Sequence, residues 1–125
     1  MQIGVLTPSS LQQRIILNAL AETGFPGAQP FTVEDRLLEQ VDDGNIHMVI
    51  SGKVLPNMTG FDLARAIREE EESRYTPIIM LGEQFTRDEV VGAMNAGINR
   101  LLITPVHPED LAEKVSIART LHRGG

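Results

Sequence analysis

The chain has no cysteine, no tryptophan, one tyrosine and four phenylalanines in 125 residues. Without cysteine there is no disulfide framework, thiolate zinc site, iron–sulfur cluster or thiol nucleophile. Basic residues are also scarce: 11 Lys and Arg stand against 17 Asp and Glu, a formal net charge of -6. That balance argues against nucleic-acid and anionic-membrane partners, because phosphates draw clusters of Lys and Arg. No apolar run approaches the roughly 20 residues that cross a bilayer. Met1 leads into Gln2-Ile3-Gly4 without a basic leader region,. The expectation is one soluble, cytoplasmic domain over residues 1–123, with 124–125 a tail or the start of a linker. That length buries a core without a disulfide or a structural metal.

What is present is a repeating alternation of short apolar runs and longer segments of helical period. The runs are Ile3-Gly4-Val5-Leu6, Ala28 to Phe31 (weakened by Pro30), Met48-Val49-Ile50, Ile78-Ile79-Met80-Leu81 and Leu101-Leu102-Ile103. Between them, Ser9 with Gln12, Thr32 with Asp35 and Thr86 with Glu89 have the spacing of capped helix starts,. Leu11, Ile15, Ile16 and Leu20 predict the inner face of the first helix, Leu37, Leu38 and Val41 that of the second,. Phe61, Leu63, Ala64 and Ile67 do so for the third, Val90, Val91 and Met94 for the fourth. The last helix opens at Pro108 and carries Leu111, Val115, Ala118 and Leu121,. Gly24, Gly44 and Gly97 stand where helices should stop,. Strands apolar at consecutive positions are those covered on both faces. The pattern predicts a doubly wound α/β domain of five βα units around a parallel sheet.

Ligands of such sheets bind beyond the carboxyl ends of the strands. The residues there are Thr7-Pro8-Ser9-Ser10, Gly52-Lys53-Val54, Gly82-Glu83 and Thr104-Pro105-Val106-His107. Lys53 after Gly52 does not complete a phosphate-binding loop, because His47 and Val54 hold the positions of the required glycine and hydroxyl,. His47, His107 and His122 share no metal-ligand spacing,. No Gly-x-Ser-x-Gly elbow is present,.

Leu55-Pro56-Asn57-Met58-Thr59-Gly60-Phe61 follows His47-Met48-Val49-Ile50-Ser51, and Ala64-Arg65-Ala66-Ile67-Arg68 comes next. Thr76 to Leu81, Ala93-Met94-Asn95-Ala96-Gly97-Ile98-Asn99 and Thr104-Pro105 continue the series in order. Together these stretches make the chain resemble the CheY-like receiver domain of bacterial two-component response regulators. The resemblance implies a sheet of strand order 2-1-3-4-5 and a cis Thr104–Pro105 bond. It also implies a phosphoryl-transfer site, in which an Asp ending strand three accepts the phosphoryl group; the matching residue here is Gly52. The two acidic residues that hold magnesium after strand one correspond to Thr7 and Pro8, and the hydroxyl after strand four to Gly82. The lysine after strand five corresponds to Thr104, and the aromatic switch residue on that strand to Leu101. Gly52 has no side chain to phosphorylate, and Thr7 and Pro8 lack the anionic oxygens that magnesium takes.

The implied reading is a pseudo-receiver that is not an enzyme, needs no cofactor or metal and signals through protein partners. By resemblance its docking or dimer face is helix four, strand five and helix five, where Arg87, Asp88, Val91, Asn95, Arg100, Glu113 and Arg119 are candidates. The alternative is an anion or small-molecule sensor using the vacated pocket, with Ser9, Ser10 and Lys53 as ligands,. The run Glu69-Glu70-Glu71-Glu72 is expected to be a solvated helix end, and Phe25, Phe31, Phe61 and Phe85 packing anchors, with exposure of Phe85 in a partner patch as the alternative,.

Overall fold

The structure, a computed structural model, describes residues 1–124, the last four as backbone only. The side chains expected of Leu121 and His122, and all of Gly125, lie outside the described residues. The apolar runs become β1 (Ile3–Leu6), β2 (Gln29–Phe31), β3 (Met48–Gly52), β4 (Ile78–Gly82) and β5 (Arg100–Ile103). Between and after them lie α1 (Ser10–Glu22), α2 (Glu34–Asp42), α3 (Gly60–Glu69), α4 (Arg87–Ala96) and α5 (Pro108–Gly124). All strand pairs are parallel, in the order β2-β1-β3-β4-β5. The Pro30-bearing β2 is a three-residue edge strand, as a missing N–H donor dictates.

The pleat sends alternate residues to opposite faces, so the sheet divides the core in two. Leu6, Val49, Ile78 and Met80 meet Leu37 and Val41 of α2, Leu63 and Ile67 of α3, and Ala93 and Ala96 of α4. Val5, Met48, Ile50, Ile79 and Leu81 meet Ile16, Ala19 and Leu20 of α1 and Leu111, Val115 and Ala118 of α5. Gly24, Gly44 and Gly97 all take positive φ (102°, 80° and 84°) at the helix ends where they were expected.

Four local expectations are corrected. Leu11 and Ile15, predicted inward on α1, are 66% and 47% exposed. Val90, Val91 and Met94 likewise turn outward, and Ala93 and Ala96 are the residues of α4 that are buried. Ser9 caps α1 by accepting from the Gln12 N–H at 3.2 Å, which is the first half of the expected capping box. Thr32 caps nothing: α2 starts at Glu34 after Val33, with no side-chain cap. The acidic residue at that helix start is used elsewhere, as described next.

Candidate functional site

The carboxyl ends of β1, β3, β4 and β5 surround a cavity of about 290 Å³ whose lining includes Pro8, Gly52, Gly82 and Thr104. Four of the six positions matched by resemblance to a phosphorylation centre therefore share one cavity. Thr7 adjoins it, its Cα 3.7 Å from where a Gly52 Cβ would stand. Leu101 is half-buried against the core on the α2–α4 side. The Thr104–Pro105 bond is cis, as expected.

Two of the small residues are covered by their neighbours. A Cβ on Gly52 would approach the Pro8 Cδ to 2.9 Å and the Val54 carbonyl to 3.3 Å. A Cβ on Gly82 would approach the Phe85 ring to 2.8 Å. Phe85 is thus a packing residue, half-buried against the core, as the packing-anchor expectation has it. The Thr7 hydroxyl donates to the Ser9 carbonyl at 3.0 Å, and the Thr104 N–H donates to the Gly82 carbonyl at 2.9 Å. Magnesium takes oxygen ligands, chiefly carboxylates. Glu83 is the single carboxylate lining this cavity, and Thr7, Pro8 and Gly52 contribute none, so the residues present do not fit that ion.

Lys53 is not free to receive an anion. Its ammonium lies 3.1 Å from Glu89 Oε2 and donates to the Gln84 carbonyl at 2.8 Å. The Thr86 N–H first, and the Lys53 ammonium next, hold the Glu89 carboxyl below its ordinary value. Ser9 lines an adjoining apolar groove between α1 and the β5–α5 loop, which shares Gln12, Glu83 and Thr104 with the cavity, and Ser10 lines neither space. The proposed trio of Ser9, Ser10 and Lys53 is not brought together.

The loop from β3 to α3 is held from both sides. Val54 and Thr59 form an antiparallel bridge across it, and the Gly60 N–H donates to the Lys53 carbonyl at 2.9 Å. Glu34, 1% exposed, accepts the Asn57 N–H at 2.7 Å and the Asn57 side-chain amide at 3.0 Å. Burial pushes this carboxyl up, but hydrogen bonds from Asn57, from its own N–H and from Met58 outweigh burial and hold it below its ordinary value. A carboxyl whose folded pKa is lowered stabilises above its unfolded pKa, and that contribution disappears as pH falls through the folded value. Glu34→Gln, which keeps the volume, is expected to cost about 2 kcal/mol at neutral pH, since hydrogen bonds to a charged group are worth roughly 1.5–3 kcal/mol. Urea titrations should show the gap between wild type and E34Q closing below about pH 4. A gap constant with pH would exclude the role of the charge.

Residues 8–116 match the response regulator receiver domain. This chain belongs to the response regulator receiver family. Its similarity to the chemotaxis protein CheY of Pseudomonas aeruginosa is 30% identity over 115 residues, covering 92% of this chain and 93% of that protein. The two-component response regulator ORR3 of Oryza sativa subsp. indica is 31% identical over 82% of this chain and 79% of its own length. A crystal structure of a putative response regulator from Chloroflexus aurantiacus superimposes with a TM-score of 0.87 at 19% identity, covering 95% of this chain and 97% of that one.

On α4 and β5 of this receiver several large apolar side chains are exposed. Val91, Met94 and Ile103 are 49%, 72% and 55% exposed. Arg87, Asp88 and Asn95 of α4 and Glu113 and Arg119 of α5 are exposed. Arg100 is half-buried and donates to the Asn99 carbonyl at 2.6 Å. Met94 and Ile103 were not among the expected surface residues: an apolar residue in a helical or strand pattern reads as core from sequence. No described helix is long and apolar enough to cross a membrane.

Proposed function

We propose that this receiver works without phosphorylation, in the cytoplasm and without catalysis of its own, as a module that binds protein partners through α4–β5–α5. The observation that carries the reading is Gly52. The strand end where the family resemblance puts the phosphoacceptor has no side chain, and the Pro8 ring lies within 2.9 Å of where a Cβ would begin. The exposed Val91 and Met94 of α4 and Ile103 of β5 support docking on those elements. Arg87, Arg100 and Arg119 with Asp88 and Glu113 offer both signs of charge, as a two-fold self-contact needs.

Incubation with acetyl phosphate and magnesium, followed by intact-mass measurement, is expected to add no phosphoryl mass; a stoichiometric adduct would overturn the proposal. Sedimentation across a concentration series should show association that Arg119→Glu weakens. An anion sensor in the vacated cavity has less support, since Lys53 is already paired and Glu83 would repel an anion at the mouth.

A further inference from the structure

Helix α4 is an unusually shallow element: of its ten residues only Ala93 and Ala96 are buried. Two alanines bury little apolar surface, so the seat of the helix depends on what grips its ends. Each end is gripped by a cation from the β3–α3 side. At the C-terminal end, the Arg68 guanidinium takes the Gly97 carbonyl from Nη2 at 2.7 Å and from Nε at 3.2 Å. At the N-terminal end the cation is Lys53.

Lys53 is itself firmly placed. Its N–H donates to the Leu81 carbonyl and its carbonyl accepts from the Gly60 N–H, both at 2.9 Å. From there the ammonium gathers three groups of the segment that leads into α4. They are the Gln84 carbonyl at 2.8 Å, the Phe85 ring with its centroid at 5.2 Å, and the Glu89 carboxylate at 3.1 Å. The same Glu89 closes the α4 capping box, accepting the Thr86 N–H at 2.9 Å while its own N–H donates to the Thr86 hydroxyl at 3.1 Å. Phe85, drawn under the ammonium, is the ring that covers Gly82. One charge thus joins the end of β3, the cover of the cavity and the first turn of α4.

We infer that Lys53 is the positioning residue for α4: a fixed cation carried by the chain itself holds the β4–α4 segment in one arrangement and so presets the docking face. The inference rests on the docking reading of that face. The ion pair is partly exposed, 21% and 30% for the two side chains. It is therefore sensitive to salt, and its effect is local: it sets where α4 sits more than whether the domain folds.

The test compares wild type with Lys53→Met, Lys53→Arg and Glu89→Gln by amide hydrogen exchange and by sedimentation. K53M is expected to speed exchange at residues 84–90 by about fivefold or more, the size of one partly exposed charge pair plus a cation–π contact. β1 and β3 should be unchanged, which separates local release from general destabilisation. K53R should keep most of the protection. E89Q, which retains the capping acceptor but not the charge, should resemble K53M and add little to it in the double variant. Loosening of 84–90 together with weakened self-association supports the inference. Unchanged exchange in K53M overturns it whatever the association state. Loosening with unchanged association overturns the link to docking. A wild type that stays monomeric at every concentration, with K53M still loosened, leaves the tether standing and removes the self-association form of the docking reading instead.

Discussion

Replacing Gly60 by alanine is expected to destabilise the domain by about 3 kcal/mol, the upper part of the usual range for overfilling a packed site. A Cβ there would run into the Gly52 carbonyl oxygen, with Met80 Cε at 2.6 Å and Ser51 Oγ at 3.1 Å on the other sides. The carbonyl belongs to the end of β3 and cannot swing away as a flexible side chain would. The Gly60 N–H is also tied to the Lys53 carbonyl, so neither strand nor helix can back off without losing that bond. The melting temperature should fall by roughly 10 °C for a domain of this size. Gly92→Ala is the matched control. It lies inside α4, where the nearest atom to an added Cβ is Phe61 Cε1 at 3.8 Å. There the methyl group is accommodated, and alanine's lower unfolded-state entropy should add about 0.5–1 kcal/mol of stability. Opposite signs for two Gly→Ala changes, read by thermal and urea melts, are the expected result. A neutral Gly60→Ala would mean that α3 sits further from β3 than described.

Arg68→Met should be comparably severe, costing about 3 kcal/mol. The guanidinium makes four hydrogen bonds: two to the Gly97 carbonyl, one to the Thr76 carbonyl at 2.6 Å and one to Asn99 Oδ1 at 3.0 Å. No carboxylate faces it among the described residues; burial alone lowers its pKa from the ordinary value, and three oxygens share its charge. Asn99 in turn accepts the Ile78 N–H at 2.7 Å, so the same group orders the entry to β4. Methionine fills much of the stem's volume but leaves these oxygens without donors. Lysine should not rescue, because one ammonium cannot span acceptors that the planar fork reaches together. The comparison is Arg65→Ala, whose pair with Asp62 is more than half exposed on both sides and should be worth under about 0.5 kcal/mol. Equal losses at Arg65 and Arg68 in urea denaturation would refute the hub.

The fold was legible because its determinants are local. Five apolar runs, three helix-ending glycines and the Thr86–Glu89 box are each read within a few residues, and the structure places all of them as expected. The failures concern what periodicity cannot see. Val91 and Met94 have the spacing of an inner helix face, yet the face of α4 that is buried carries Ala93 and Ala96. Phe85 packs as expected, but its partner could not be read from sequence, since the contact depends on Gly82 lacking a side chain. Thr32 has the form of an N-cap, but the helix start is decided by Glu34, which is committed to Asn57 in another loop. Lys53–Glu89, Glu34–Asn57 and Arg68–Gly97 join residues 36, 23 and 29 positions apart. Such pairs leave no repeat in a single sequence. At the candidate site the residue identities Gly52, Gly82 and Thr104 were legible, and the packing around them was not, because it depends on contacts between loops.

The Pro8 ring over Gly52 makes the two positions hostage to one another. An aspartate arriving at 52 while proline stands at 8 meets the ring at its first carbon, and its carboxylate enters a cavity whose nearest ammonium is already engaged. Opening position 8 first removes that obstruction but brings no new chemistry, so the step has nothing to recommend it by itself. A side chain at 52 therefore fits only beside a different residue at 8, so the two positions can change together or in the order 8 then 52.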